Sequence, residues 1–346
     1  MEFSMKKKIT ILLVFFSIAV TSCFAQTTSA LTSFEAVYDY LSTARGGTQA
    51  SNPVSLVVSI DLGDMTADGS GWQNLLSLIG TREKYVALDL SLCTINSTEF
   101  NPTSSNYNGH SKIVSLILPN TARSIVGRFT GSILYVYGSL RTVSAKEVTS
   151  IGSFAFNGLN LTDVNFPSVV TIGSSAFSGC TSLKSVSFPK LISISNNVFS
   201  RCVSLTSADF PVATTIENNA FRNCSSLTSV TFPLVTSISS GAFQNCSNLT
   251  SVSFPMVKII SGRRGDYPGA FIDCTSLTSI NFPSVSTIGD GAFYCDALTS
   301  ITIAANCDIQ GTRHGVRFVD FKSYYELIRG KRSGTYKWNG TAWTGP

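Results

Sequence analysis

From Leu161 to Ala297 the chain repeats one pattern of about 22 residues. In register, the first four copies read LTDVNFPSVVTIGSSAFSGCTS (161–182), LKSVSFPKLISISNNVFSRCVS (183–204), LTSADFPVATTIENNAFRNCSS (205–226) and LTSVTFPLVTSISSGAFQNCSN (227–248). A 28-residue copy (249–276) and a 21-residue copy (277–297) follow. A fixed period in this range marks units that cannot bury their apolar face alone, so the copies stack into a repeat solenoid. A solenoid works through extended surfaces, which moves the question of function from pockets to faces.

Each copy opens L-x-x-V-x-F, as in Leu227, Val230 and Phe232. The step of two is strand alternation: Val230 and Phe232 point inward, Ser229 and Thr231 outward. The proline that follows (Pro167, Pro189, Pro211, Pro233, Pro255, Pro283) has no N–H for a ladder and closes the strand. Next come an isoleucine column (Ile172, Ile194, Ile216, Ile238, Ile288), a Gly/Asn/Ser turn, and an Ala-Phe pair such as Ala176-Phe177 or Ala242-Phe243. At about 4.8 Å per strand, stacked copies bury these columns against one another. A fully buried Phe or Ile contributes roughly 1.5–3 kcal/mol, enough per coil to offset the ordering entropy.

A short parallel strand followed by a compact return arm, worded LTSVxFPxVTxIGxxAFxxC, resembles the BspA-like (Treponema-pallidum-type) leucine-rich repeats of surface proteins of host-associated bacteria. The resemblance covers 140–305, where LRTVSAKEVTSIGSFAF (140–156) has Ala145 in place of Phe. Upstream, Leu88/Leu90/Ile95/Phe100 and Leu116/Leu118/Ile125/Phe129 keep the columns, while ILYVYG (133–138) fits none and reads as an extra strand or loop. The expected fold is a leucine-rich-repeat solenoid with short parallel strands on its concave face. It carries a small α/β N-terminal cap and a helix plus β-hairpin as C-terminal cap.

The ends divide accordingly. Residues 1–22 have the basic start, short apolar core and small-residue region of a signal peptide. Val20-Thr21-Ser22-Cys23 resembles a lipobox in which Cys23 is lipidated; the competing reading is cleavage after Cys23-Phe24-Ala25. Residues 23–83 read as N-terminal linker and cap, with helices at 33–47 and 71–80 around a strand at 53–62. The solenoid occupies 84–310. The C-terminal cap, 311–346, has a helix at 319–330 and a hairpin turning at Asn339-Gly340. Trp338 and Trp343 are expected to pack over the end of the stack. The protein is therefore exported, as an outer-membrane or cell-surface lipoprotein, or alternatively secreted or periplasmic. Its expected membrane contact is the N-terminal lipid anchor alone.

Composition removes several functions. Removing residues 1–22 takes away Lys6, Lys7, Lys8 and Glu2, lowering the net charge from +5 to +3. Charged residues are only 13% of the chain, which makes no case for nucleic-acid binding. Cys180, Cys202, Cys224, Cys246, Cys274 and Cys295 recur once per coil. One thiol per layer, with only two histidines in the chain, is not zinc-site spacing. Parallel side chains on neighbouring layers also suit a disulfide poorly, so a buried ladder of small apolar groups is expected. Asp61, Asp64 and Asp68-Gly69 miss the alternate-position pattern of a calcium loop. No Ser/His/acid set or paired carboxylates recur, so no enzyme, catalytic residue, cofactor or metal is expected.

Two features remain for binding. The outward strand positions form one column of Asp163, Ser185, Ser207, Ser229, Ser251 and Ser279, and a second of Asn165, Ser187, Asp209, Thr231, Ser253 and Asn281. This is a low-charge face of hydroxyls and amides, which also serves strand packing and solubility. The 28-residue copy carries six extra residues within SGRRGDYPG (261–269), an inserted polar loop bounded by Gly and Pro. Insertions in repeats map to loops on one face, often the binding one. Arg264, Gly265 and Asp266 look like the integrin-binding tripeptide of matrix proteins; an accidental exposed tripeptide is the competing reading. The resemblance implies an adhesin that attaches to host extracellular matrix or a cell-surface protein, an integrin among them, to glycans, or to other bacteria. The alternative is a structural envelope or aggregation protein with no host ligand.

Overall fold

A computed structural model describes residues 29–102, 108–127, 137–263, 268–311, 313–328 and 330–346. The signal sequence, Cys23 and the tripeptide Arg264-Gly265-Asp266 lie outside the described residues, as does most of ILYVYG.

Every coil is a three-sided loop of chain. The first side is the V-x-F strand: Ser229–Thr231, Ser251–Ser253, Ser279–Phe282 and Ser300–Ile303 pair in parallel and in register, each residue opposite its counterpart one copy on. Val54–Val57, Val86–Asp89, Ile113–Ile117, Thr142–Ser144 and Asp163–Asn165 continue the stack upstream. The isoleucine column forms the second side, a run of two-residue parallel strands from Ser193–Ile194 to Asp308–Ile309. The Ala-Phe arm forms the third. Its rungs run from Phe177 N–H to Val198 O (3.0 Å), Phe199 to Ala220 (2.9 Å), Phe221 to Ala242 (2.8 Å) and Phe243 to Ala270 (2.8 Å). The return arm is thus two further ladders. With Ile and Phe facing a dry interior, the backbone on all three sides must find its partners in the next coil.

Three kinds of corner join the sides. After the strand, a turn is closed by Leu191 N–H to Phe188 O (3.2 Å) and by equivalent bonds in neighbouring coils, with the proline at its second position. The other two corners each need a left-handed residue. One column is Ser175, Asn197, Asn219 and Gly241 (φ 58, 55, 56 and 65°), and the other Gly179, Arg201, Asn223 and Asn245 (φ 75, 62, 61 and 58°). Asn and Gly tolerate this region best, which explains why these columns favour them.

Inside, two phenylalanine columns run the length of the stack. Phe188 and Phe210 lie 6.0 Å apart at 2°, and Phe221 and Phe243 5.3 Å apart at 6°. The second column continues through Phe271 and Phe293 (5.0 Å) to Phe318 of the C-terminal helix (4.8 Å). That helix is Val316–Ser323, prolonged by a wider turn at Tyr324–Ile328, and starts earlier than the apolar pattern suggests because Gly315 N–H bonds Phe293 O. The hairpin strand Gly334–Trp338 adds antiparallel to Ser300–Ile303 and ends the parallel stack. Trp343 is buried edge-on against Phe321 (5.4 Å), with Trp338 against it (5.8 Å).

At the other end, helix Phe34–Thr43 is capped by Ser33, which accepts from Ala36 N–H. It stops at Thr43, three residues before Gly46, where Ala44 N–H turns back to Tyr40 O. Helix Gly71–Thr81 covers the first coils with Trp72, 6.1 Å from Phe100. Tyr137, at the described edge of ILYVYG, is buried against His110 (4.8 Å).

Candidate binding faces

The outward strand residues come together as expected for two columns on one side of the stack. Asp163, Asn165, Ser185, Ser187, Ser207, Asp209, Ser229 and Thr231 are exposed; Ser251, Ser253, Ser279 and Asn281 are half-buried. Within these two columns Ser187 Oγ donates to Asp209 Oδ2 (2.9 Å) and Asn281 Nδ2 to Ser253 Oγ (3.0 Å), each linking neighbouring coils. The rest of the face presents short hydroxyls and amides at one-coil intervals.

A second hydroxyl column has a structural task that the sequence reading missed. Thr162, Thr206, Thr250, Thr278 and Thr299 sit just before the strand, and each Oγ1 donates to a backbone carbonyl of the preceding coil at 3.0–3.3 Å. Thr149, Thr214, Thr236 and Ser286 do the same before the isoleucine strand. The signal was in the sequence, a Thr recurring at one column beside the strand. These hydroxyls belong to the scaffold, which leaves the outward pair of columns as the candidate face on the strand side.

The cysteine ladder is also scaffold. Cys180, Cys202, Cys224, Cys246, Cys274 and Cys295 are fully buried free thiols. Each Sγ–H donates to the carbonyl of the phenylalanine in the preceding coil, as from Cys224 to Phe199 O (3.2 Å). Burial pushes Cys202 and Cys246 up to about 12, and Cys180, Cys224 and Cys274 well above the usual thiol range.

The insertion is spliced into the left-handed corner between the second and third sides. In a regular coil, Ala242 N–H closes this corner on Ser239 O; in the long coil Ala270 N–H makes the same bond to Ser261 O (3.2 Å) across the inserted residues. The base is pinned to the next coil by Arg263 N–H to Asp290 O. Asp290 also accepts from Arg313 N–H through Oδ1 (2.9 Å) and pairs with Arg313 Nε (3.6 Å). A Cβ on Gly262 would lie 2.3–2.4 Å from the Gly289-Asp290 backbone, so glycine is what permits this approach. Sequence reasoning did not single out Asp290, whose only signal is an acid in a Gly-Asp-Gly corner. The corner lies across the coil from the strand side, so the described base of the insertion, Ser261 and Ala270, is not part of the strand face.

Three hydrogen-bonded sides around stacked phenylalanines define a leucine-rich-repeat solenoid. Residues 149–264 and 267–313 match the BspA-type leucine-rich-repeat region in 6 copies. Among solved structures, the chain is similar to a Treponema pallidum leucine-rich-repeat protein, with 28% identity and a TM-score of 0.42 over 56% of this chain and 86% of that one. It is similar to a leucine-rich cell surface protein of Faecalibacterium prausnitzii (24%, TM-score 0.38), covering 58% of this chain. It is also similar to a Bacteroides ovatus leucine-rich-repeat protein (18%, TM-score 0.41), covering 67% of this chain. The chain spans 63% of the length of each of the latter two. No curated protein matches the chain. Among the described residues, no helix is long and apolar enough to cross a membrane.

Proposed function

We propose that this chain is a non-enzymatic binding protein of the bacterial cell surface, an adhesin that contacts host matrix or host cells. The observation that carries this reading is the strand face. Eight short polar side chains from Asp163 to Thr231 stand exposed on a laddered sheet whose own hydrogen bonds are met elsewhere. Such a face suits many weak, low-charge contacts with protein or glycan, summed over a rigid array. The insertion at 261–269 supplies a second, separate contact. Its tripeptide Arg264-Gly265-Asp266 offers a carboxylate to a receptor-bound metal and a guanidinium to an acidic groove. Cys23 is the proposed lipid attachment that holds the protein at the surface.

Attachment of the chain from Gln26 to immobilised matrix proteins and to integrin-bearing cells tests the reading. Asp266→Glu should abolish the integrin-dependent part, and Ser207→Lys with Ser229→Lys the remainder. Unchanged attachment in the first variant removes the tripeptide, and in the second it removes the strand face. Binding by neither surface, with clumping of the bacteria intact, would favour the aggregation protein. Mass spectrometry of the native N-terminus decides the anchor: a free Gln26 would exclude lipid on Cys23.

A further inference from the structure

The corner after each strand carries a feature that the adhesin reading does not use. Its β-turns project two residues, the proline and the one after it, at their tips. Along six successive coils the second tip residue is Ser168, Lys190, Val212, Leu234, Met256 and Ser284. Val212, Leu234 and Met256 are 38%, 45% and 46% exposed, and Ile192, beside them on the same corner, is 54% exposed. Pro189, Pro211 and Pro233 are exposed along the same line. Adjacent coils lie about 4.8 Å apart, so these side chains form one continuous apolar ridge. Other exposed apolar residues, such as Leu92 and Val203, are not in this turn-tip column, and nothing in the stacking requires the ridge.

The charges on this corner are of one sign. Lys190 and Lys258, both exposed, flank the apolar stretch, and no carboxylate lies on it between Glu147 and Asn306. Glu147 stands at the upstream limit, 4.0 Å from Lys146. Asp209, the nearest acid, belongs to the strand face and is bonded to Ser187. The ridge is convex, because it consists of turn tips between two sheets that diverge from it. A peptide partner would need a groove; a projecting line of Val, Leu and Met between lysines fits a deformable and negatively charged surface.

We propose that the ridge of turn tips Val212, Leu234 and Met256, with Ile192, Lys190 and Lys258, docks onto an anionic lipid bilayer. The apolar tips enter the boundary between headgroups and acyl chains, and the lysines face the headgroup charge. This inference is independent of the adhesin reading, and it leaves both the strand face and the described base of the insertion, Ser261 and Ala270, on other sides of the coil.

Flotation of the chain from Gln26, which contains every described residue and no acylated cysteine, tests it with vesicles of phosphatidylglycerol and phosphatidylcholine in equal parts. The protein should float with these vesicles and not with phosphatidylcholine alone. Leu234→Ser with Met256→Ser, both at exposed tips, should lower the bound fraction about tenfold with the melting temperature unchanged. Lys190→Glu with Lys258→Glu should weaken binding and remove its salt dependence. Failure of the parent chain to float, or flotation of both variants equal to the parent, would overturn the proposal. A dimer in light scattering that the Ser variant dissolves would overturn it in favour of a second copy on the ridge.

Discussion

The cysteine ladder gives the sharpest quantitative expectation, because a thiol's reactivity depends on ionisation and access, and the fold suppresses both. With their acidity constants pushed up to about 12 from 9.0, Cys202 and Cys246 hold about 10³ times less thiolate at pH 8 than an ordinary cysteine. Both are also 0% exposed, so an alkylating reagent reaches them only when coils separate. In a stack with nearest-neighbour contacts, opening an interior coil means breaking rungs on three sides, whereas an end coil has one neighbour to lose. Cys307 and Cys93, buried near the two ends and raised to about 12 and about 11, should therefore be labelled first, and Cys202, Cys224 and Cys246 last. Pulsed alkylation of the folded protein followed by peptide mass spectrometry reads this order directly. An interior thiol labelled within about tenfold of the rate of free cysteine would refute the buried ladder. So would thiols that stay unlabelled in denaturant until reductant is added, since these would be disulfides. Reductant should leave the melting temperature of the folded protein unchanged.

Three further outcomes follow from the packing. Phe232→Ala removes a fully buried ring with neighbours at 5.6–6.0 Å above, below and beside it, and should cost about 3–5 kcal/mol in urea unfolding; a loss under about 1 kcal/mol would contradict the stacked columns. Gly179→Val places a β-branched residue at φ 75° and should destabilise by about 1–2 kcal/mol, with Gly179→Asn costing less; equal effects would mean that the corner can relax out of the left-handed region. His314 is buried, accepts from Phe293 N–H through Nδ1 and faces Gln310 O through Nε2, so burial holds its acidity constant below 6.5 despite Asp290 nearby. Its neutral form stabilises the folded protein fully above pH 6.5, and that contribution is lost as the pH falls through the lowered value. Melts at pH 7.5 and 5.5 should show an extra acid loss that His314→Gln lacks.

How far the sequence carried the reading differs between scaffold and site. The period exposed the strand, the inward columns and the thiol ladder, because each is repeated and each is explained by burial. The second and third ladders were harder to see. A two-residue strand such as Thr215–Ile216 has too few positions to show an alternation, and the Ala-Phe rungs are shorter still. The roles of hydroxyls were only half legible: Thr206 and Ser207 look alike as letters, yet one bonds the previous coil and the other stands free on the strand face. The length of the long coil revealed the insertion. The corner at which it leaves the coil, across from the strand face, needed the closure from Ser261 to Ala270 and could not be counted from the sequence.

The direction of the rungs has a mechanical consequence. Eleven strands from Val54–Val57 to Ser300–Ile303 set the two caps about 50 Å apart along the stack, with hydrogen bonds of all three sides running parallel to that axis. A pull between the caps therefore loads the rungs end-on and every interface alike, and the weakest interface parts first. Such a chain yields in steps of one repeat, releasing about 20 residues of slack each time and leaving the remaining coils folded. Under flow it would lengthen while the unopened coils still hold their faces.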